Sequence, residues 1–313
     1  MDEDAGSDTS GEVTESSAER YRDLDRWPAD RTVRELVDAN RRSIEAVAAA
    51  LPQLTSAAEA IVERIAGGGR LVYAGAGTSG RLALQDAAEL PPTFGFDRTV
   101  VLLAGGEGAG ARAREGAEDD TDAARRAVED AAVGPQDAVI AIAASGRTPY
   151  TVAVLEIAGE LGALTVGIAN NRNTPLLAAA QFPICLETGP EVLAGSTRLS
   201  AGTAQKVALN TLSTAALVRL GGAYRNLMVG MVQSNDKLRR RAVAIVDRAT
   251  EAGEERSREA LVSAGGSIRV AIVCLRAGVS REEALSLLAE HHNRVRDVLA
   301  ATGGLDEASG INQ

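Results

Sequence analysis

The chain has 313 residues, of which 45% are hydrophobic, and its formal net charge is −10. This acidity argues against nucleic acid or an anionic membrane as the main partner, because both would repel the protein. An anionic ligand must therefore be held by backbone N–H groups and a few individually placed cations. The length fits one large domain or two smaller ones.

Targeting and metal signals are weak throughout the sequence. The N-terminus is acidic and polar, and no apolar run approaches the roughly 20 residues of a membrane span. Cys185 and Cys274 are isolated, and the only histidines, His291 and His292, are adjacent and point in different directions on a helix. We expect a cytoplasmic protein with no membrane partner, no disulfide framework and no metal site.

Both ends of the chain are predicted to lie outside the α/β core. Residues 1–13 are mostly Asp, Glu, Ser and Gly and are predicted to form a disordered acidic tail. Residues 14–61 carry N-terminal helices, one after Pro28 and one from about Thr55 to Ile65. Residues 223–313 form a C-terminal helical region. Its predicted elements are Asn235–Ala249, Glu254–Ala264, Ser267–Leu275 and a helix that begins with the capping box Ser280–Glu283.

The segment between them, residues 62–222, alternates apolar runs with helical stretches. This pattern predicts an α/β fold with a five-stranded parallel sheet, in a flavodoxin-like three-layer sandwich of strand order 2-1-3-4-5. The helices are expected around residues 79–89, 109–132 and 148–161. The predicted strands are Arg70–Ala74, Thr99–Ala104, Ala138–Ala144, Leu164–Ala169 and Phe182–Leu186.

A long apolar helix is predicted from Thr203 to Leu220, at the end of this segment. A helix that is apolar on nearly all sides must be buried. Either the core of one chain or a second subunit could bury it.

Two hydroxyl-rich turns follow the first and third predicted strands. They are Gly75–Arg81 and Ser145–Pro149, and the strand order brings both to one crevice. Hydroxyls and helix-start N–H groups suit a phosphate. The first turn also fits the dinucleotide pattern G-x-G-x-x-G. An NAD site usually has an acidic residue about 20 positions after this pattern, and the nearest candidate here, Glu107, comes later than that. Plain glycine-rich connections are the remaining alternative.

Without a histidine or thiol in a suitable place, carboxylates are the obvious acid–base groups. Glu89 precedes Pro91-Pro92, where a helix is expected to stop, and Glu118 lies in the acidic stretch Glu115–Asp120. Each could be catalytic. Each could equally be a solvated helix end or an N-terminal cap.

Several sequence blocks together resemble the N-acetylmuramic acid 6-phosphate etherases, over about residues 14–300. The resemblance implies a sugar-isomerase (SIS) domain that cleaves the lactyl ether of its substrate without a metal or redox cofactor. It also implies a phosphosugar ligand, and we expect the chain to form a homodimer. The blocks are Gly75–Leu82, Asp86–Glu89, Pro91–Gly95, Ala104–Gly106, Glu115–Asp119, Ala143–Tyr150, Gly189–Val192, Gly195–Leu199, Ala201–Lys206 and Asn226–Val229.

The resemblance also implies roles for individual residues. Glu89 is expected to be the proton donor and Glu118 the second catalytic residue, acting as the base at C2. Contacts to the sugar or the lactyl carboxylate are expected from Glu191, Arg198 and Lys206, for which structural salt bridges are the alternative. The phosphate is expected on the hydroxyls and N–H groups of Thr78, Ser79, Gly80, Ser145, Gly146 and Thr148.

Helix geometry separates Glu89 from the phosphate end of this site. A straight helix over residues 79–89 places Glu89 roughly 15 Å from Ser79, which a hexose phosphate does not span. We therefore expect Glu89 to act on substrate held mainly by the neighbouring subunit.

The chain departs from the family pattern at two positions. Leu90 replaces a Cys with no needed chemical role, and Ser200 replaces a Lys, which would matter if that Lys contacts substrate. The rival readings are an aldose–ketose phosphate isomerase and a non-enzymatic phosphosugar sensor like glucokinase regulatory protein. The presence of both Glu89 and Glu118 favours an enzyme.

Overall fold

The computed structural model describes residues 12–110 and 116–305. The chain divides into two compact units, the first from Met1–Ala88 and Arg98–Thr214 and the second from Glu89–Asp97 and Ala215–Gln313. The predicted N-terminal helices belong to the same unit as the sheet. Residues 1–11 of the predicted acidic tail lie outside the described residues, whereas Val13–Glu15 form a helical turn.

The first unit is built on a five-stranded parallel sheet. Its order β2-β1-β3-β4-β5 is the predicted one. Every residue of β1, β3 and β4 is buried, which explains why these strands are continuous apolar runs. The strands are β1 Leu71–Gly75, β2 Thr99–Leu103, β3 Ala138–Ile142, β4 Leu164–Ala169 and β5 Phe182–Cys185.

Helices cover both faces of this sheet, which confirms the predicted three-layer fold. Helices α4, α5 and α6 pack on one face, where Val128, Val154 and Leu176 join the buried strand residues. On the other face α2 contacts β3, β4 and β5. The helices are α1 Ala29–Ala49, α2 Leu51–Ala66, α3 Gly77–Phe94, α4 Thr121–Asp130, α5 Pro149–Glu160, α6 Pro175–Ala179 and α7 Ser200–Leu217.

Two helix predictions were wrong. The helix expected at 109–132 is α4, which begins only at Thr121 because the Asp120 side chain caps it by accepting the Ala123 N–H. Helix α3 does not stop at Pro91-Pro92 but continues to Phe94, and the Gly95 N–H donates to the Pro91 carbonyl at 2.9 Å. Gly95 then ends it with a positive φ of 66°. Residues 111–115 lie outside the described residues.

The second unit is mainly helical, as predicted, around a core that includes Ile245, Ile272 and Leu299. The capping box is present, since Ser280 and Glu283 exchange both of its hydrogen bonds. The sequence did not predict the short hairpin or α12. The elements are β6 Ala223–Tyr224, β7 Leu227–Met228, α8 Asp236–Thr250, α9 Glu254–Ser263, α10 Ile268–Ala277, α11 Arg281–Glu290 and α12 Val295–Thr302.

None of the described helices is alone long and apolar enough to cross a membrane. Helices α9 and α10 meet the requirement only as a pair, and they are bent by 115° at the break between them.

Candidate active site

The two hydroxyl-rich turns leave adjacent strands at the same edge of the sheet. Gly75, the last residue of β1, pairs in register with Ile142, the last residue of β3. Neighbouring strands lie about 4.8 Å apart, so the turns begin side by side. The structure thus confirms that both turns meet at the switch point of the sheet, where doubly wound folds bind ligands.

The first turn leads directly into α3. The Gly80 N–H makes the first bond of this helix, to the Ala76 carbonyl at 2.9 Å, so the N–H groups of Gly77, Thr78 and Ser79 precede the helical hydrogen bonds. A Cβ on Gly80 would lie 2.3 Å from a methyl carbon of Leu103. Gly80 therefore allows helix and sheet to pack closely, while the N–H groups of the residues before it have no acceptor among the described residues and can bind an anion.

The second turn is held in a left-handed conformation at Gly146. Its φ is 68°, and a Cβ there would lie 2.4 Å from the Thr174 hydroxyl oxygen. The Gly146 N–H donates to the Ala143 carbonyl at 3.0 Å. The Ser145 hydroxyl oxygen accepts the Arg147 N–H at 3.1 Å. Gly146 thus shapes the turn, and the hydroxyls of Ser145 and Thr148 remain the groups that could reach a ligand.

Glu118 lies between the two turns. Its carbonyl accepts the Tyr150 N–H at 2.9 Å, which ties residue 118 to the start of α5. Its side chain is exposed, and Oε1 lies 3.0 Å from the position that a Cβ on Gly77 would occupy. The structure therefore brings the Glu118 carboxylate to the first turn, and its catalytic role stays a prediction.

Glu89 lies near the other end of α3 and is exposed. The helix is unbroken from Ser79 to Glu89, so a rise of about 1.5 Å per residue separates them by roughly 15 Å along its axis. Glu89 belongs to the second compact unit, whereas Glu118 belongs to the first. The separation predicted from the sequence is thus present within α3.

Between Ser79 and Glu89, α3 carries a buried carboxylate whose structural role the sequence did not indicate. Asp86 is 3% exposed, and it accepts hydrogen bonds from the Tyr73 hydroxyl at 2.7 Å and the Asn210 amide at 2.6 Å. The Ser213 hydroxyl donates a third bond at 3.2 Å. Burial, and then the Asp86 charge, raises the pKa of Tyr73 well above its ordinary value. Asp86 thereby fixes α3 against both β1 and α7.

Glu191 is fully buried and has a different set of partners from the predicted ones. Its two oxygens accept the N–H groups of Ser200 and Ala201, each at 2.9 Å. It therefore caps the start of α7, and its buried position does not support the predicted direct contact with substrate. Ser200 itself is also buried, and its hydroxyl has no partner among the described residues.

Arg198 and Lys206 remain available for an anionic ligand. Both side chains are exposed, and neither forms an ion pair within the described chain. Lys206 lies one turn after Gly202, where an added Cβ would be 3.5 Å from the Thr78 methyl group. Helix α7 therefore begins beside the first turn, and Lys206 lies in its second turn.

A cavity of about 650 Å³ lies beside Glu118, at the end of β2. Its described lining includes Gly105, Ala117, Asp120, Arg126 and Tyr150. Burial, and then the charge of Asp120, raises the pKa of Tyr150 to about 12, so this hydroxyl stays protonated at neutral pH. Within residues 12–110 and 116–305, no three His, Cys, Asp or Glu side chains cluster as metal ligands would.

Comparison with known proteins identifies the class. The family model for the N-terminal SIS domain of glucokinase regulatory protein matches residues 53–159, and the SIS domain model matches residues 122–215. The solved structure of a candidate phosphosugar isomerase from Bacteroides fragilis aligns with a TM-score of 0.50 at 21% identity, over 64% of this chain and 95% of its own. Residues 53–215, which contain the five-stranded sheet, therefore carry a SIS domain.

Full-length relatives identify the family. An N-acetylmuramic acid 6-phosphate etherase of Deinococcus radiodurans is 49% identical over 301 residues, covering 96% of this chain and 97% of its own. The etherase of Streptomyces coelicolor is 45% identical, over 93% of this chain and 94% of its own. The chain belongs to the N-acetylmuramic acid 6-phosphate etherase family.

Proposed function

We propose that this protein is a carbon–oxygen lyase that cleaves the D-lactyl ether of N-acetylmuramic acid 6-phosphate. The products are N-acetylglucosamine 6-phosphate and D-lactate, so the reaction belongs to the breakdown and recycling of cell-wall amino sugars. The observation that carries the proposal is the position of Glu118, whose carboxylate lies at the first of two adjacent hydroxyl-rich turns. The near full-length identity to etherases favours this reaction over the isomerase and sensor alternatives.

The reaction requires a proton to leave C2 of the open-chain sugar, where it is acidified by the neighbouring aldehyde. Glu118 takes this proton, and the electron pair forms a double bond between C2 and C3. The bond from C3 to the lactyl oxygen breaks at the same time or directly afterwards. Glu89 protonates the departing oxygen, which gives D-lactate.

Water completes the reaction by adding to the unsaturated aldehyde. Its oxygen attaches at C3 and a proton returns to C2, which restores the saturated sugar. The sum is the addition of one water across the ether bond, and it requires no change in oxidation state. Two carboxyl groups serve such a sequence when one is ionised and the other protonated.

The phosphate is held, in this proposal, where the two turns meet. The free N–H groups of Gly77, Thr78 and Ser79 supply dipoles at the start of α3. The Ser145 and Thr148 hydroxyls add hydrogen bonds from the second turn. Gly80 and Gly146 contribute the backbone shape that brings these groups together.

Cations near the turns can then bind the lactyl carboxylate. Lys206 and Arg198 are exposed and free of ion pairs within the described chain, and α7 begins beside Thr78. Binding of this carboxylate would select a lactyl ether over a plain hexosamine phosphate. It would also reduce the repulsion between the negatively charged protein and its substrate.

The separation along α3 supports a shared site in a homodimer. Glu89 is exposed and roughly 15 Å from the phosphate end of its own helix, farther than a hexose phosphate extends. In the proposed dimer Glu89 of one subunit donates its proton to substrate bound at Glu118 of the other. We place the enzyme in the cytoplasm, where the two free cysteines, Cys185 and Cys274, would stay reduced.

Release of D-lactate from N-acetylmuramic acid 6-phosphate tests the function. We expect wild-type protein to release lactate, and Glu118→Gln to lower kcat by about a thousandfold because the base is lost. Asp119→Asn is the matched control, since it removes the adjacent exposed carboxylate and should leave kcat within about twofold. Well-folded wild-type protein that releases no lactate would rule the function out.

A further inference from the structure

Thr14 is fully buried, although it follows an acidic and polar stretch of sequence. Its N–H donates to Asn171 Oδ1 at 3.3 Å, and Asn171 Nδ2 donates back to the Thr14 hydroxyl at 2.9 Å. The Thr14 carbonyl accepts the Gly195 N–H at 3.3 Å. The backbone N–H, the carbonyl and the hydroxyl oxygen of this residue are thus all bonded to parts of the chain more than 150 positions away.

The partners of Thr14 lie in the loops that follow β4 and β5, and Asn171 extends the connection to β3. The second hydrogen of Asn171 Nδ2 donates to the Ala144 carbonyl at 3.1 Å, directly before Ser145. Gly195 opens the stretch that leads to Arg198. These loops lie at the carboxyl ends of parallel strands, the edge at which this fold class binds its ligands.

An ion pair joins the same N-terminal stretch to the second turn. Glu12 Oε1 lies 3.0 Å from Arg147 Nε, and Arg147 stands between Gly146 and Thr148. The turn that carries two of the proposed phosphate hydroxyls is therefore connected to the N-terminal stretch on both sides. On one side the link is Ala144 through Asn171, and on the other it is Arg147.

We propose that Glu12–Ser16, which we call the strap, is part of the phosphosugar site, and that Thr14 is a positioning residue for ligand binding. The proposal rests on the proposed function, because it assigns the sugar phosphate to the turns at Ser79 and Ser145. The strap holds the Ser145–Thr148 turn and the Gly195–Arg198 loop in the arrangement that binds the ligand. Thr14 itself touches no reacting atom and acts through Asn171.

The physical argument is one of preorganisation. A phosphate binds tightly when its donors are already fixed, because fixing them during binding costs part of the interaction. Within the turn, the Gly146 N–H donates to Ala143 and the Arg147 N–H donates to Ser145, while the Asn170 N–H links the Ala144 carbonyl to the loop after β4. Asn170 also donates to the Leu186 carbonyl at the start of the loop after β5, and the strap adds a connection to the later part of this loop through the bonds of Thr14 to Asn171 and to Gly195.

Three variants separate this role from general stability. Thr14→Val keeps the size of the side chain but removes the acceptor for Asn171, whereas Thr14→Ser keeps the hydroxyl. Thr55→Val is the matched control, because the Thr55 hydroxyl donates only to the Leu51 carbonyl within α2 and is exposed. Each variant is compared with wild type by its melting temperature, its binding of N-acetylglucosamine 6-phosphate by calorimetry, and its KM and kcat for lactate release.

For Thr14→Val we expect the dissociation constant and KM to rise by about tenfold, while kcat stays within about twofold of wild type. Thr14→Ser should bind like wild type, and so should Thr55→Val. Calorimetry needs no turnover. Wild-type protein that binds the sugar phosphate but releases no lactate would refute the etherase function while leaving the strap open to test by binding.

The strap proposal is overturned if Thr14→Val binds the sugar phosphate as tightly as wild type, whatever its melting temperature. It is also overturned if Thr14→Ser binds the sugar phosphate as weakly as Thr14→Val, because loss of the hydroxyl would then not explain the weaker binding. Wild-type protein that neither binds the sugar phosphate nor releases lactate would overturn both proposals.

Discussion

Gly77 offers the most direct structural test of the site, because its missing side chain faces the proposed base. Its φ is 53°, and a Cβ placed there would lie 3.0 Å from Glu118 Oε1. So short a contact forces the carboxylate to move by a few tenths of an ångström. The substitution Gly77→Ala therefore displaces the base without removing it.

The expected size of the effect follows from these two features. Alanine in a left-handed conformation costs about 1 kcal/mol of folding stability. A displacement of about 1 Å at a reacting group costs on the order of a hundredfold in rate, so a few tenths of an ångström should lower kcat by roughly fivefold to tenfold. Urea denaturation and steady-state lactate release measure the two effects separately.

Gly68→Ala is the matched control. Gly68 also has a positive φ, of 93°, but no atom lies within 4 Å of an added Cβ. This variant should lose a similar amount of stability and keep its kcat. If folded Gly77→Ala keeps wild-type kcat, the reasoning that places Glu118 as the base beside this turn is refuted.

Three further outcomes are expected. Asp86→Ala should lower the free energy of unfolding by about 3 kcal/mol, because the buried donors bonded to Asp86 lose their acceptor. Urea denaturation measures this loss, and a value below about 0.5 kcal/mol would contradict the prediction. Burial disfavours the charge of Asp137, but hydrogen bonds from Arg70 and neighbouring N–H groups outweigh it and lower the pKa of Asp137. The ionised Asp137 carboxylate should therefore stabilise the fold fully above about pH 4, and this stabilisation should disappear as the pH falls through the lowered pKa. The difference in unfolding free energy between wild type and Asp137→Asn should shrink in that acid range. A difference that stays constant with pH would contradict this prediction. Mixed equally, inactive Glu89→Gln and Glu118→Gln chains should regain about a quarter of wild-type activity if subunits share sites and exchange freely, whereas no recovery argues for a site within one chain.

The fold could be predicted because each sheet element carries its own local signal. The buried strands are short apolar runs, and glycine or hydroxyl-rich turns end the two strands that meet at the switch point. Parallel connectivity then leaves few arrangements, and the predicted order is the one observed. The adjacency of the two hydroxyl-rich turns followed from that order alone.

The remaining features depend on contacts between distant parts of the chain. Nothing near Thr14 in the sequence indicates that it pairs with Asn171, and nothing near Glu191 indicates that it caps α7. Local rules also misplaced helix ends. Pro91 and Pro92 suggested a stop, but the hydrogen bond from Gly95 to Pro91 carries α3 one turn further.

The fate of the C2 proton tests the central claim most directly. If Glu118 removes this proton and water later adds across C2 and C3, N-acetylglucosamine 6-phosphate formed in D₂O must carry deuterium at C2. Proton NMR of the product should therefore show the C2 signal lost while the other ring signals remain. A product that keeps its C2 proton would contradict elimination and leave direct displacement of lactate as the mechanism.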